Sequence, residues 1–180
     1  MRYAQIRSMD ISNGEGVGVS LFVQGCDRHC FNCFNSETWD FNGGKEWTEE
    51  AKNKFMELID RPYIRRISVL GGEPLAEQNL DEVLSLIKEI RISFPKKSIW
   101  LYTGYELSEI IKQEQYEKVS GIPSVWSKRW KIISNIDVLV DGEYIDEQKD
   151  LTLKWRGSKN QNCIDVKKSL AQNKMVLYCD

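Results

Sequence analysis

The chain has 180 residues, with 25 Lys and Arg against 27 Asp and Glu, for a formal charge of −2. That balance argues against a protein held to nucleic acid mainly by phosphate neutralisation. A hydrophobic fraction of 41% with six tryptophans argues against global disorder. No apolar run approaches the roughly 18 residues of a membrane span, and Met1–Asp10 alternates polar and apolar residues with no stretch of signal-peptide length. The length suits one domain over residues 1–180. No nucleic-acid or membrane partner is expected, and the expected compartment is the cytoplasm.

Val17–Val23 reads as a strand leading into a loop that carries Cys26, Cys30 and Cys33. Glu49–Ile59 is amphipathic, with Ala51, Phe55, Leu58 and Ile59 on one face, Thr48 as N-cap and acidic residues in the first turn. Ile67–Leu70 is a short apolar strand running into Gly71-Gly72. Leu80–Ile90 has Leu80, Val83, Leu84, Ile87 and Ile90 at helical spacing. Ser98–Tyr102 is a strand ending at Thr103-Gly104; Glu106–Lys112 and Ser124–Asn135 read as helices. Asp137–Val140 is a strand ending at Asp141-Gly142, and Leu151–Trp155 reads as a last strand ending at Arg156-Gly157-Ser158. Pro62, Pro74, Pro95 and Pro123 mark turns.

Alternating strands and helices predict an α/β fold with a mostly parallel sheet. At this length a closed eight-stranded barrel is too large, so the expectation is an abbreviated, partial (β/α) barrel of about five to six βα units. The polar and glycine-rich segments all follow strands. In a parallel fold they share the C-terminal face, which would bring Cys26–Cys33, Gly71–Pro74, Thr103–Tyr105, Asp141–Tyr144 and Arg156–Gln161 together.

The cysteines are five in number, and three fall within eight residues at C-x3-C-x2-C spacing, with Cys163 and Cys179 far away. An even, dispersed set would read as a disulfide framework; a tight cluster reads as metal or redox chemistry. A structural zinc site wants a fourth ligand. The only histidine, His29, adjoins Cys30, an awkward position for closing the same tetrahedron, and is expected as an exposed loop residue. Three thiolates without a fourth suit a four-iron cluster with one iron left open. At Gly71-Gly72-Glu73-Pro74 the glycines let a ligand approach the backbone without a Cβ clash, and the strand-end carbonyls and Glu73 can accept hydrogen bonds.

The cysteine motif after one strand, followed by Gly71-Gly72-Glu73-Pro74 after another, resembles the radical S-adenosylmethionine superfamily. The run Cys33-Phe34-Asn35-Ser36-Glu37-Thr38-Trp39 narrows the resemblance. So do Tyr102-Thr103-Gly104-Tyr105, Asp137-Val138-Leu139-Val140-Asp141-Gly142 and Arg156-Gly157-Ser158-Lys159-Asn160-Gln161. Together they are similar to the activating proteins of anaerobic (class III) ribonucleoside-triphosphate reductase, across essentially the whole chain. Two positions depart: Asn32 stands before the third cysteine, where many superfamily members carry an aromatic residue, and Asn162 follows the late motif, where Arg is usual.

The resemblance implies a 4Fe–4S cluster on Cys26, Cys30 and Cys33. It implies S-adenosylmethionine as second cofactor, and no catalytic side chain beyond the cluster. Gly71, Gly72, Glu73 and Pro74 would hold the methionine end. Asn32 and Phe34 would contact adenine or methionine, and Asp141, with Thr103 more weakly, the ribose or a monovalent cation. Arg156, Ser158, Asn160 and Gln161 would meet the carboxylate end of the cofactor or the glycine-bearing loop of the reductase. A flavodoxin or similar one-electron donor is implied as a further partner. Two rivals stand beside this reading: a small radical S-adenosylmethionine enzyme acting on a free metabolite, and a non-catalytic zinc or iron–sulfur electron-transfer module. Cys163 is expected as a small core side chain.

Overall fold

The computed structural model describes residues 1–121 and 124–179. Pro123 lies outside them, while Pro62, Pro74 and Pro95 stand at turns or loop starts as expected. The strands are β1 (Arg2–Asp10), β2 (Gly18–Val23), β3 (Lys45–Glu46), β4 (Arg66–Gly71), β5 (Ser98–Tyr102), β6 (Val138–Asp141), β7 (Asn162–Asp165) and β8 (Leu177–Cys179). The helices are α1 (Glu49–Asp60), α2 (Leu80–Ser93), α3 (Leu107–Ser120), α4 (Trp126–Ile133) and α5 (Val166–Gln172).

All eight strands form one sheet in the order β3-β1-β2-β4-β5-β6-β7-β8. Its centre, β2-β4-β5-β6, is parallel. Both flanks are antiparallel: β1 and β3 on one side, β7 and β8 on the other. The sheet is therefore mixed rather than mostly parallel, and three helical crossovers link the parallel strands instead of five or six βα units. The predicted strand Leu151–Trp155 is absent; the segment is a series of turns and bends. Asp150 accepts hydrogen bonds from the Thr152 N–H at 2.9 Å and hydroxyl at 2.6 Å, and Trp155 sits at φ +58°. This side-chain-capped turn offers the backbone an alternative to a ladder.

Strand alternation separates the two faces. Val19, Leu21 and Val23 of β2, Ile67 and Val69 of β4, Ile99 and Leu101 of β5, and Leu139 of β6 pack with Phe55 and Ile59 of α1, Val83, Ile87 and Ile90 of α2, Ile110 of α3 and Ile132 of α4. Each such side chain contributes roughly 1.5–3 kcal/mol over its exposed state. Thr48 caps α1 as predicted, accepting from the Ala51 N–H at 3.2 Å.

The intervening residues, Ser20, Phe22, Ser68, Leu70, Trp100, Tyr102, Val138, Val140 and Cys163, face the other way and are covered by loops. At one end of that face Arg66, only 1% exposed, donates to the carbonyls of Asp10 and Asn13 and to Ser68 Oγ. Burial works against ionisation of Asp10, but hydrogen bonds from the Asn13 side chain and the Ser12 and Asn13 N–H groups hold the carboxyl below its ordinary range. This cluster pins the β1–β2 connection across the sheet. The other end, toward the C-terminal ends of the parallel strands, is open.

Candidate functional site

The cysteine loop leaves β2 through Gly25, at φ +95°. The ring of Phe41 occupies the place a Gly25 Cβ would take, so glycine is needed there on two counts. The loop is pinned to the following segment by Gly25 N–H to Thr38 O at 2.8 Å and Cys26 N–H to Trp39 O at 3.0 Å. A turn closes between the second and third cysteines, with Cys33 N–H donating to Cys30 O at 3.1 Å. His29 is exposed, as expected, and packs its ring on Trp39 at 4.7 Å.

This loop forms one wall of a cleft of about 550 Å³ on the loop-covered face. Cys26, Cys30 and Cys33 line it together, over a floor of Phe22, Leu70, Tyr102 and Val140. All three thiols are free and half-buried. Burial pushes the Cys26 thiol up to about 11 and raises Cys30 as well. A metal binding there displaces those protons, since thiolates are the ligands. Among the described residues no three His, Cys, Asp or Glu side chains stand close enough together to hold a metal ion as they lie. A donor set of three thiols on one cleft wall, with no further cysteine or histidine among the lining residues, fits an iron–sulfur centre that keeps a coordination position open.

Gly71, Gly72, Glu73, Thr103, Phe34 and Arg156 also line the cleft. The Gly71–Pro74 segment is bonded directly to the cysteine loop: Gly72 N–H to Val23 O at 2.9 Å and Glu73 N–H to Gly25 O at 2.7 Å. The reason for glycine here differs from the expectation. A Cβ on Gly72 would meet not an open ligand space but the Gly25 backbone, 2.9 Å from its carbonyl carbon and closer still to its oxygen. Glu73 is buried, and its carboxylate accepts from Thr103 Oγ1 at 2.7 Å, Gly104 N–H at 2.8 Å and Leu75 N–H at 2.8 Å. It thereby ties the loop after β4 to the loop after β5. Burial nonetheless pushes its carboxyl up. Pro74 is buried outside the cleft lining.

The segment between β6 and β7 closes on the cysteine loop from the far side. Arg28 pairs with Glu143 at 2.6 Å and lies over the Tyr105 ring at 3.9 Å. Asn32 Nδ2 donates to Asp146 at 2.9 Å, and Phe34 packs on Tyr144 at 5.0 Å. Asn32 is exposed and outside the cleft lining, so the residue before the third cysteine holds the loop to its neighbour.

The late motif is largely scaffold. Ser158 is buried, its hydroxyl accepting from the Ile145 N–H at 3.2 Å. Asn160 donates to Glu143 O at 2.8 Å. Gln161 accepts from the Gly157 and Ser158 N–H groups and donates to Gly142 O at 2.9 Å. Asp141, buried at the end of β6, accepts from the Leu107 N–H and the Asn162 side chain, both at 2.9 Å, and burial raises its carboxyl. Asn162, at the position where Arg is usual, thus anchors Asp141. Asp141 and Ser158 do not line the cleft; Arg156 and Gln161 do.

Sequence reasoning missed Arg28, Tyr102, Glu143, Tyr144 and Trp155 as cleft residues. Tyr102 and Tyr144 sat in strand-end segments already expected on this face, so a signal existed. Arg28 and Glu143 lay within the segments Cys26–Cys33 and Asp141–Tyr144 expected to converge, but nothing in the sequence pairs these two side chains, 115 residues apart.

Residues 12–164 match the family described as the 4Fe-4S single cluster domain. The anaerobic ribonucleoside-triphosphate reductase-activating protein of Vibrio cholerae is 37% identical over 163 residues, covering 89% of this chain and 96% of that protein. Those of Escherichia coli, at 36%, and of Enterobacteria phage T4, at 34%, align over 163 residues as well, with 96% and 92% of their own lengths covered. With a cysteine-lined cleft matched by a 4Fe–4S family and relatives this similar end to end, the chain belongs to the family of anaerobic ribonucleoside-triphosphate reductase-activating proteins.

Proposed function

We propose that this chain activates an anaerobic ribonucleoside-triphosphate reductase by radical S-adenosylmethionine chemistry, with residues 1–180 as one domain. Cys26, Cys30 and Cys33 would hold a 4Fe–4S cluster, which would supply the electron for reductive cleavage of S-adenosylmethionine, the source of the 5′-deoxyadenosyl radical needed to form a glycyl radical on the reductase. The observation that carries this reading is the three free thiols sharing a cleft wall with the glycine loop after β4.

The chain's own work is binding, orientation and exclusion of water. Cys26, Cys30 and Cys33 are assigned as ligands. The backbone of Gly71 and Gly72 receives the methionine end, and Glu73 and Thr103 brace that loop. Phe34 offers a ring to the adenine, and Arg156 a cation to a carboxylate or to the partner's glycine loop. Asn32, Pro74, Asp141 and Ser158 act from behind, by holding the loops. The sheet is read as an abbreviated partial barrel whose loop-covered face stays open to the partner. A flavodoxin-like protein is the proposed electron donor. The cytoplasm is the proposed compartment, since five free cysteines suit a reducing environment.

Anaerobic reconstitution followed by electron paramagnetic resonance of the reduced protein tests this. About four irons per chain and a spectrum that changes on adding S-adenosylmethionine are expected. One zinc per chain, or a spectrum indifferent to S-adenosylmethionine, would overturn the reading.

A further inference from the structure

Cys163 and Cys179 lie outside the cluster loop, yet the fold places them face to face. They are direct partners in the antiparallel pairing of β7 with β8. Opposed residues in such a pair have Cα atoms about 4.5–5.5 Å apart, inside the range a disulfide spans. Both side chains point to the same side and pack on Trp100, Val138 and Val140. Both thiols are free.

The two differ in access. Cys163 is 0% exposed, whereas Cys179 is half-buried. Arg156 Nη1 lies 3.9 Å from Cys179 Sγ, and a partly exposed sulfur beside a guanidinium is the setting in which thiols react. Burial, followed by the contact with Cys179, pushes the Cys163 thiol well up, which keeps it protonated while its neighbour reacts first.

We infer that Cys163 and Cys179 form a redox-active dithiol, separate from the cluster cysteines, which a low-molecular-weight disulfide converts to an intrachain disulfide. The Cys179 sulfur attacks one sulfur of the small disulfide, forming a mixed disulfide and releasing one thiol. Cys163 then gives up its proton and displaces the second thiol from Cys179. One S–S bond breaks and one forms; the protein loses two electrons and two protons, and the small disulfide gains them. The product staples β8 to β7 beside Arg156, a residue of the cleft wall.

The test is anaerobic titration of the iron-loaded full chain with glutathione disulfide, then denaturation, N-ethylmaleimide labelling and non-reducing peptide mapping. The expected result is a linked peptide joining Cys163 to Cys179, with loss of both labels, restored by dithiothreitol. Cys163→Ala is expected to retain glutathione on Cys179, and Cys179→Ala to leave Cys163 unmodified at the concentrations that close the wild-type pair. Peptide mapping reads each thiol by itself, so the answer stands even if a variant folds poorly. Both sites fully labelled after oxidation, or a glutathione adduct that persists on Cys179 with Cys163 present, would overturn the inference.

Discussion

Replacing Gly72 by alanine probes the joint between the cysteine loop and the loop after β4. The added Cβ would lie 2.9 Å from the carbonyl carbon and 3.0 Å from the nitrogen of Gly25, against ordinary contacts of 3.4–4 Å. Both atoms are backbone, and Gly25 is held by its own bond to Thr38 and by the bond it accepts from Glu73. Relief therefore requires the two loops to part. Overpacking costs about 1–3 kcal/mol, and losing the Glu73–Gly25 hydrogen bond about 1 kcal/mol more. The sum, about 2–4 kcal/mol, corresponds to a fall in Tm of roughly 4–16 °C for a chain of this size. Because the cysteine loop itself is displaced, iron retained after reconstitution should fall together with S-adenosylmethionine binding. Gly104→Ala is the milder comparison: its Cβ would lie 3.2 Å from Arg28 Cγ and 3.4 Å from Glu143 Cγ, side chains rather than backbone, so the cost should be smaller, about 1 kcal/mol. The assays are thermal unfolding and iron per chain, side by side. A Gly72→Ala protein with wild-type Tm and wild-type iron would refute the contact and with it the placement of the two loops.

Three further outcomes are expected. Arg28→Ala, which removes the pair with Glu143 and the stack on Tyr105 at a partly buried site, should cost about 1–2 kcal/mol and lower iron retention; unchanged retention would show that the clasp does not steady the cluster loop. Burial opposes ionisation of Asp137, but Arg91, Lys167 and the Ile99 N–H outweigh it and hold the carboxyl below its ordinary range. Its contribution is present above the unfolded pKa of about 3.9 and is lost as pH falls through the folded value, so Asp137→Asn should be less stable at neutral pH but show a flatter acid limb; parallel stability–pH curves would contradict this. Arg156→Ala should lower glycyl-radical yield on the reductase while sparing iron content, and a normal yield would remove Arg156 from the site.

What the sequence made legible was local. The β2 and β5 strands are apolar runs between breakers, and the α1 and α2 helices carry their buried residues at helical spacing, α1 with a capping threonine, so neighbouring residues alone define them. Leu151, Leu153 and Trp155 alternate like a strand, but they alternate because they line the cleft from an exposed loop, with Leu151 80% exposed. Strand β1 alternates as well and went unread because it pairs antiparallel on both sides, outside the βα rhythm. In the site, the clustered cysteines and the glycine segment after β4 were visible because each is one short stretch. The clasp of Arg28, Asn32 and Phe34 on Glu143, Asp146 and Tyr144 was not, since it joins residues more than a hundred positions apart. Nor does sequence show whether a polar residue near a site serves a ligand or its own loop, and Ser158, Gln161 and Asp141 all spend hydrogen bonds on the loops around them.

The most direct measurement is electron paramagnetic resonance of an anaerobic ribonucleoside-triphosphate reductase incubated with the iron-loaded protein, S-adenosylmethionine and a one-electron reductant. A glycyl-radical signal should appear on the reductase and disappear when Cys26, Cys30 or Cys33 is replaced by alanine, while Cys163→Ala retains it. A signal on this chain instead, or none from protein that carries its iron and binds S-adenosylmethionine, would contradict the account.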